Sequence, residues 1–300
     1  MVVTTPGSAP APQPRAPHVT IVGMNPRTIL VTGATQGLGR GLAHALAARG
    51  DTVLLHGRDR ARLESAAAEV RAAAPGAVVR TYLADLSDLD QVAALADQVR
   101  AAEPRLDALV NNAVAGGGSR PLVRELSAQG HELRFAVNHL APYVLTRALL
   151  PLLTASRPAR VVNVASIGQE AVDFDNVMLQ RDYEGLRAYC RSKLALIMAT
   201  FELAAELDGT GVTVNTLHPA HLMDTEGVRA YGLTPLVGVE DGVAPTLRLI
   251  TDPELIATTG RYFDRFTDVR AHDQAYDPAA RRRLMDVTHG LLAGHLSPAS

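Results

Sequence analysis

Lysine is all but missing from this chain: of 29 Lys and Arg side chains, Lys193 alone is a lysine. Tryptophan is absent, aromatic residues make up 4%, and cysteine occurs once, as Cys190. A single cysteine excludes an internal disulfide and fits a reducing compartment. No His or Cys cluster has the spacing of a zinc site, so no metal is expected. No apolar run approaches the roughly 20 residues that cross a bilayer, and the N-terminus lacks the basic and apolar regions of a signal peptide. A cytoplasmic protein without a membrane span is therefore expected. Neither sign of charge is in surplus, the net charge being −2, and the arginines are scattered apart from Arg281, Arg282 and Arg283. Nothing in that distribution makes a footprint for nucleic acid.

What is present is enough apolar material for a large core: 300 residues, 47% of them hydrophobic. Residues 1–26 are rich in Pro, Ala, Thr and Ser and read as a disordered tail, with Met24 as an alternative translation start. From Thr28 onward, short β-branched runs alternate with longer helical periods, which is the pattern of a parallel sheet covered on both faces. Seven strands are expected, at residues 28–32, 52–56, 78–83, 108–111, 160–164, 213–217 and 260–263. Helices are expected near residues 38–49, 61–74, 89–102, 130–153, 186–207 and 239–250. The expectation is an α/β fold: a single doubly wound, Rossmann-type domain over residues 27–300, with a seven-stranded parallel sheet and a C-terminal helical extension.

The sole lysine points to the first candidate site. Arg serves solvation and loose ion pairing as well as Lys does, so a chain that uses Arg everywhere else retains Lys where a guanidinium cannot substitute. Lys193 follows Tyr189 by four residues, which on a helix places phenol and ammonium on one face. A fixed cation beside a phenol stabilises the phenolate and should lower its pKa toward the range useful for acid-base catalysis. A second candidate site follows the first strand, where Gly33, Thr35, Gln36, Gly37, Leu38 and Gly39 lead directly into a helix. Glycines in that strand-to-helix context let backbone approach a pyrophosphate at the helix N-terminus. The second strand ends in His56, Gly57 and Arg58, where an acidic residue would suit the free ribose of NAD. Arg58 suits a 2′-phosphate instead, or it is a solvated side chain paired with Asp59.

Together these stretches resemble the short-chain dehydrogenase/reductase family, and its retinol-dehydrogenase-like branch in particular, over residues 28 to about 265. The resemblance implies that Asp85 and Leu86 contact adenine and that Asn111, Asn112 and Ala113 form the Asn-Asn-Ala motif, with Val114 replacing the usual Gly. It matches Asn138, Ser166, Tyr189 and Lys193 to the catalytic tetrad, and places Pro219 and Thr225 near the nicotinamide. Tyr189 is then the acid, Ser166 the positioning donor, Lys193 a holder of the ribose as well, and Asn138 the support of a water relay. Taken singly, Ser166 reads equally as a helix cap and Asn138 as a core amide.

The expected function is NADPH-dependent reduction of a ketone or aldehyde. NAD(P)-linked alcohol oxidation at the same site, or a catalytically silent NADP(H)-binding protein, are the alternatives. Val172, Phe174, Val177, Met178, Leu222, Met223, Tyr231 and Leu233 favour a lipophilic substrate, although such residues also serve as core. Ile197, Met198, Phe201 and Leu203 give the Tyr189 helix more apolar surface than one stripe needs, implying burial or a second subunit. The resemblance implies a homodimer or homotetramer.

Overall fold

The structure is a computed structural model and describes residues 26–116 and 123–293; the N-terminal stretch read as a tail lies almost wholly outside the described residues. The chain runs β1 (Thr28–Val31), α1 (Gly37–Ala48), β2 (Thr52–Gly57), α2 (Arg60–Ala73), β3 (Val79–Leu83), α3 (Leu89–Ala102) and β4 (Ala108–Asn111). A helical stretch follows, made of α4 (Leu133–Phe135), a π-helical segment (Ala136–Leu140) and α5 (Ala141–Ala155). Then come β5 (Ala159–Val164), α6 (Gly185–Glu206), β6 (Val212–His218), α7 (Glu226–Ala230), α8 (Glu240–Thr251), β7 (Tyr262–Asp264), β8 (Thr267–Asp268) and α9 (Pro278–Leu291).

The strands pair in the order β3-β2-β1-β4-β5-β6-β7-β8. All neighbours are parallel except β7 and β8. The sheet therefore has eight strands where seven are expected from the sequence. The additional strand is two exposed residues folded back on β7, too short to leave a period-2 pattern. Strands such as β1 (TILV) and β5 (ARVVNV) are buried along their whole length, because helices cover both sheet faces. One core packs β-sheet residues such as Leu30, Leu54 and Leu109 against α3, α5 and α6. The other packs Ile29, Val31, Val53 and Leu55 against α1, α2 and α8.

Strand order reverses between β1 and β4, so the turns after these strands separate and open a crevice at their carboxyl ends. The helix expected from residue 130 begins three residues later, since Gly130 sits in a turn at φ +79°. The apolar excess of α6 is covered within the chain. Ile197, Met198 and Leu203 are buried in the core, and the Phe201 ring lies 5.4 Å from that of Tyr276. Helix α9 closes over the same side, with Arg281 on Glu202, Thr288 Oγ1 2.8 Å from His139 Nε2, and His289 Nε2 2.8 Å from Tyr143 Oη.

Candidate active site and dinucleotide cradle

The turn after β1 is shaped by close backbone approach. Gly33 adopts φ +65°, and a Cβ there would stand 2.8 Å from Ala113 Cα, which only glycine avoids. A Cβ on Gly39 would collide with the Gly33 carbonyl oxygen, so α1 can begin hard against the turn only with glycine at that position. The Asn112–Ala113 segment is stapled to this turn. Thr32 Oγ1 accepts from Asn112 N (2.9 Å) and Ala113 N (3.0 Å), and Asn112 Nδ2 donates to the Thr32 and Gly33 carbonyls at 2.8 and 3.2 Å. Gln36, in extended conformation, precedes α1 without a side-chain cap. The first-turn amides of α1 are thus left for an anionic ligand.

Thr35 lies against Gly57, and Gly37 against Thr225. Leu38 is buried in the core beneath the turn, and Pro219 is buried at the end of β6. Thr225 Oγ1 accepts from Val228 N and so caps α7. A cleft of about 620 Å³, lined by Gly37, Arg40, His44, Thr225 and Glu226, opens between α1, α7 and α8. It lies beside the cradle and does not include Tyr189.

Arg58 is exposed at the end of β2 and forms no ion pair among the described residues. Asp59, the partner the sequence offered, is engaged elsewhere: its Oδ1 accepts from Arg62 N and caps α2. Asp85 follows β3 with Oδ1 accepting from Ser87 N and Oγ at 2.9 and 2.8 Å, and the neighbouring Leu86 is buried. This set fits a dinucleotide: a glycine-tight turn, open amides, an apolar and a polar group after β3, and an exposed guanidinium after β2.

The four residues of the expected tetrad converge at the carboxyl ends of β4 and β5. Ser166 follows β5, and its Oγ and the Tyr189 ring both border Gly168, 3.5 and 3.8 Å from where a Cβ on that glycine would stand. The Ser166 Oγ also accepts from Gly168 N at 3.0 Å, and its carbonyl accepts from Tyr262 Oη at 3.0 Å, which anchors the residue on both sides. One turn along α6, Lys193 is 2% exposed and donates to the Val164 carbonyl at 2.7 Å. Its Nζ lies 5.7 Å from the centre of the Tyr189 ring.

Asn138 occupies the π-helical segment, where the widened turn aims its side chain across to the loop after β4. Oδ1 accepts from Ala115 N at 2.8 Å, while Nδ2 donates to Ala115 O and Ser192 Oγ at 3.0 and 2.9 Å. Ser192 in turn donates to the Tyr189 carbonyl, so Asn138 braces α6 between the tyrosine and the lysine.

The electrostatics differ from the expectation of a phenol acidified by its lysine. Burial pushes Tyr189 up to about 12, against the lowering influence of the nearby Ser166. Burial likewise pushes Lys193 down to about 7. Among the described residues Lys193 forms no ion pair with a carboxylate, so desolvation alone sets its shift. As it stands, the pair is a neutral phenol beside an amine that titrates near neutrality.

Of the expected pocket walls, Val172 is in the core, with Phe174, Val177 and Met178 packed against it, and Met223 packs against the α1 side. Leu222 takes φ +46° at the turn after β6. Leu233 is exposed, and Tyr231 packs 3.7 Å from the position of a Cβ on Gly116. Val114, Ile167, Leu186 and Leu236 add exposed aliphatic surface in the loops at this edge; the last three fall in the stretches 167–187 and 221–238 that the sequence marks as pocket walls. Sequence reading missed a buried cluster in which Arg134, 1% exposed, pairs with Glu132 at 3.2 Å and donates to Tyr183 Oη at 2.5 Å. That cluster has no sequence signature, since an isolated Arg carries no spacing.

A doubly wound sheet with a glycine cradle at its switch point, and a Ser-Tyr-Lys cluster beside it, defines a dinucleotide-dependent oxidoreductase. The family model for short chain dehydrogenase matches residues 27–233, and the chain belongs to that family. It is 35% identical over 276 residues to retinol dehydrogenase 13 of Homo sapiens, covering 86% of this chain and 82% of that one. Similarity to human retinol dehydrogenase 14 is 36% over 298 residues, covering 88% and 86%. Among solved structures, a protein from Mycobacterium paratuberculosis superposes with a TM-score of 0.72 at 28% identity, covering 89% of this chain and 93% of that one. A short chain dehydrogenase from Shigella flexneri complexed with NADP gives 0.67 at 29% identity, covering 81% and 98%. Among the described residues no helix is long and apolar enough to cross a membrane.

Proposed function

We propose that the chain is an NADPH-dependent reductase of lipophilic ketones or aldehydes. The observation that carries this reading is the convergence of the Ser166 and Tyr189 side chains on Gly168 beside the crevice, with Lys193 behind the phenol. Bound in the cradle, the nicotinamide dinucleotide supplies the hydride. Ser166 holds the substrate carbonyl oxygen, and Tyr189, protonated up to about pH 12, delivers the proton to that oxygen as it gains charge. Lys193, with its pKa near 7, can both donate to a ribose hydroxyl and pass on a proton at neutral pH. Asn138 keeps α6 and the loop after β4 in register around these groups.

NADPH is preferred because Arg58, exposed just past β2, forms no ion pair among the described residues, and the NADP-bound relative supports the same choice. The exposed aliphatic rim supports a lipophilic substrate, as do relatives named for retinol. Alcohol oxidation runs through the same groups in reverse, and those names favour testing it beside reduction.

The test is NADPH consumption against a panel of ketones and aldehydes, with NADP+ and the matching alcohols run in parallel. Tyr189→Phe is expected to abolish turnover while NADPH affinity stays within about twofold, because it removes a proton and little volume. Turnover in the Phe variant would sink the mechanism, and equal affinity of the parent for NADPH and NADH would remove the role given to Arg58.

A further inference from the structure

His56 is the next-to-last residue of β2, beneath the glycine turn, and its imidazole is engaged at both nitrogens. Gly33 N donates to Nδ1 at 3.2 Å, and Nε2 lies 3.0 Å from the Ala84 carbonyl at the end of β3. The side chain is 2% exposed. An amide N–H can only donate and a carbonyl can only accept, so the two contacts together admit a single form of the ring. That form is neutral, with hydrogen on Nε2 and a lone pair on Nδ1.

We infer that His56 is a positioning residue for the dinucleotide cradle: it ties the Gly33 amide to the end of β3 and thereby fixes the turn that faces the cofactor phosphates. The inference rests on the dinucleotide reading above. Gly33 N lies two residues past β1, where φ turns positive, so its direction sets the path of the chain into α1. The adjacent Ala34 N donates to the His56 carbonyl at 2.8 Å, so backbone and side chain of one residue hold two successive amides of the turn. At its other nitrogen the ring reaches Ala84, immediately before Asp85 and Leu86, and so couples the phosphate turn to the loop expected to meet adenine.

The charged group facing the ring is Asp85, whose influence favours the imidazolium, yet burial prevails and holds the ring near 4. A protonated Nδ1 would point a hydrogen at the Gly33 amide, and the tie would become a repulsion.

Two measurements test this. Nitrogen-15 NMR of the cofactor-free parent at pH 7 is expected to show His56 as the neutral, Nε2-protonated tautomer. An Nδ1-protonated ring, or an imidazolium, would overturn the inference without reference to any ligand. NADPH titration then compares His56→Asn, whose Oδ1 replaces the Nδ1 acceptor, with His56→Gln, whose amide nitrogen replaces only the Nε2 donor. His56→Asn is expected to bind within about threefold of the parent and His56→Gln roughly tenfold more weakly, the cost of one lost hydrogen bond on an ordered loop. Equal weakening in both variants, or none in His56→Gln, would reduce His56 to an ordinary core residue. A parent that binds neither NADPH nor NADH would instead defeat the dinucleotide reading, and the tautomer would still decide the tie to Gly33.

Discussion

Lys193 is held at its tip by the Val164 carbonyl, close against the Tyr189 ring, and forms no ion pair among the described residues. An ammonium is compact enough for that space and can lose its proton near neutrality; a guanidinium is broader, holds its donors in a fixed fork and stays charged above about pH 12. Lys193→Arg therefore retains charge yet is expected to lower kcat/KM roughly a hundredfold or more, about 2.7 kcal/mol of transition-state stabilisation. Circular dichroism should show the fold intact, and near-parental activity would reduce Lys193 to a bare charge. The sequence made Lys193 conspicuous because it is the only lysine, and its spacing from Tyr189 placed both on one helical face. What spacing could not supply was the sign of the pKa shift, since this depends on how completely α6 is covered. His56 is the converse case: in the sequence it is one residue of a strand, and its meaning arises only when β1, β2 and β3 are side by side.

At the scale of elements, the parallel strands and long helices were legible because each has a period and a bounding turn. Asn138 was correctly read as lying in a long helix, but a single surplus residue in a helical turn leaves the apolar pattern intact, so the π-helical segment was invisible. Helix α9 was expected only as an extension, because what it covers lies about 80 to 150 residues earlier in the chain. Its role can be measured at Thr288, which is fully buried and supplies the partner of His139 Nε2. His139 Nδ1 has no partner among the described residues. Thr288→Val, nearly isosteric, would thus leave a buried imidazole with neither nitrogen satisfied, at a cost of about 1–3 kcal/mol. Urea unfolding is expected to show a lower midpoint with an unchanged slope. An unchanged midpoint would mean that the α9 contact contributes packing alone.

For the molecule as a whole, three histidines are kept neutral by burial: His56 and His218 near 4, and His139 near 3. In the unfolded chain each returns to about 6.5. Between about pH 6.5 and 4 the unfolded chain consequently binds more protons than the folded one, so the stability these groups contribute is present above pH 6.5 and is lost as pH falls. The limiting slope for three such groups is about 4 kcal/mol per pH unit. Asp51, whose carboxyl burial raises, acts in the opposite sense over the lower part of this range. Urea midpoints at pH 7, 6 and 5 should fall progressively, and a constant midpoint would show that water reaches the rings.

The burial of the sole lysine also gives the molecule one internal cleavage point for a protease that cuts only after lysine. That point lies in the middle of α6, under the core, where no enzyme can grip an extended strand until the helix unwinds. Digestion of the native protein should accordingly give two fragments that meet after residue 193, at a rate set by how often the core opens rather than by fraying of surface loops.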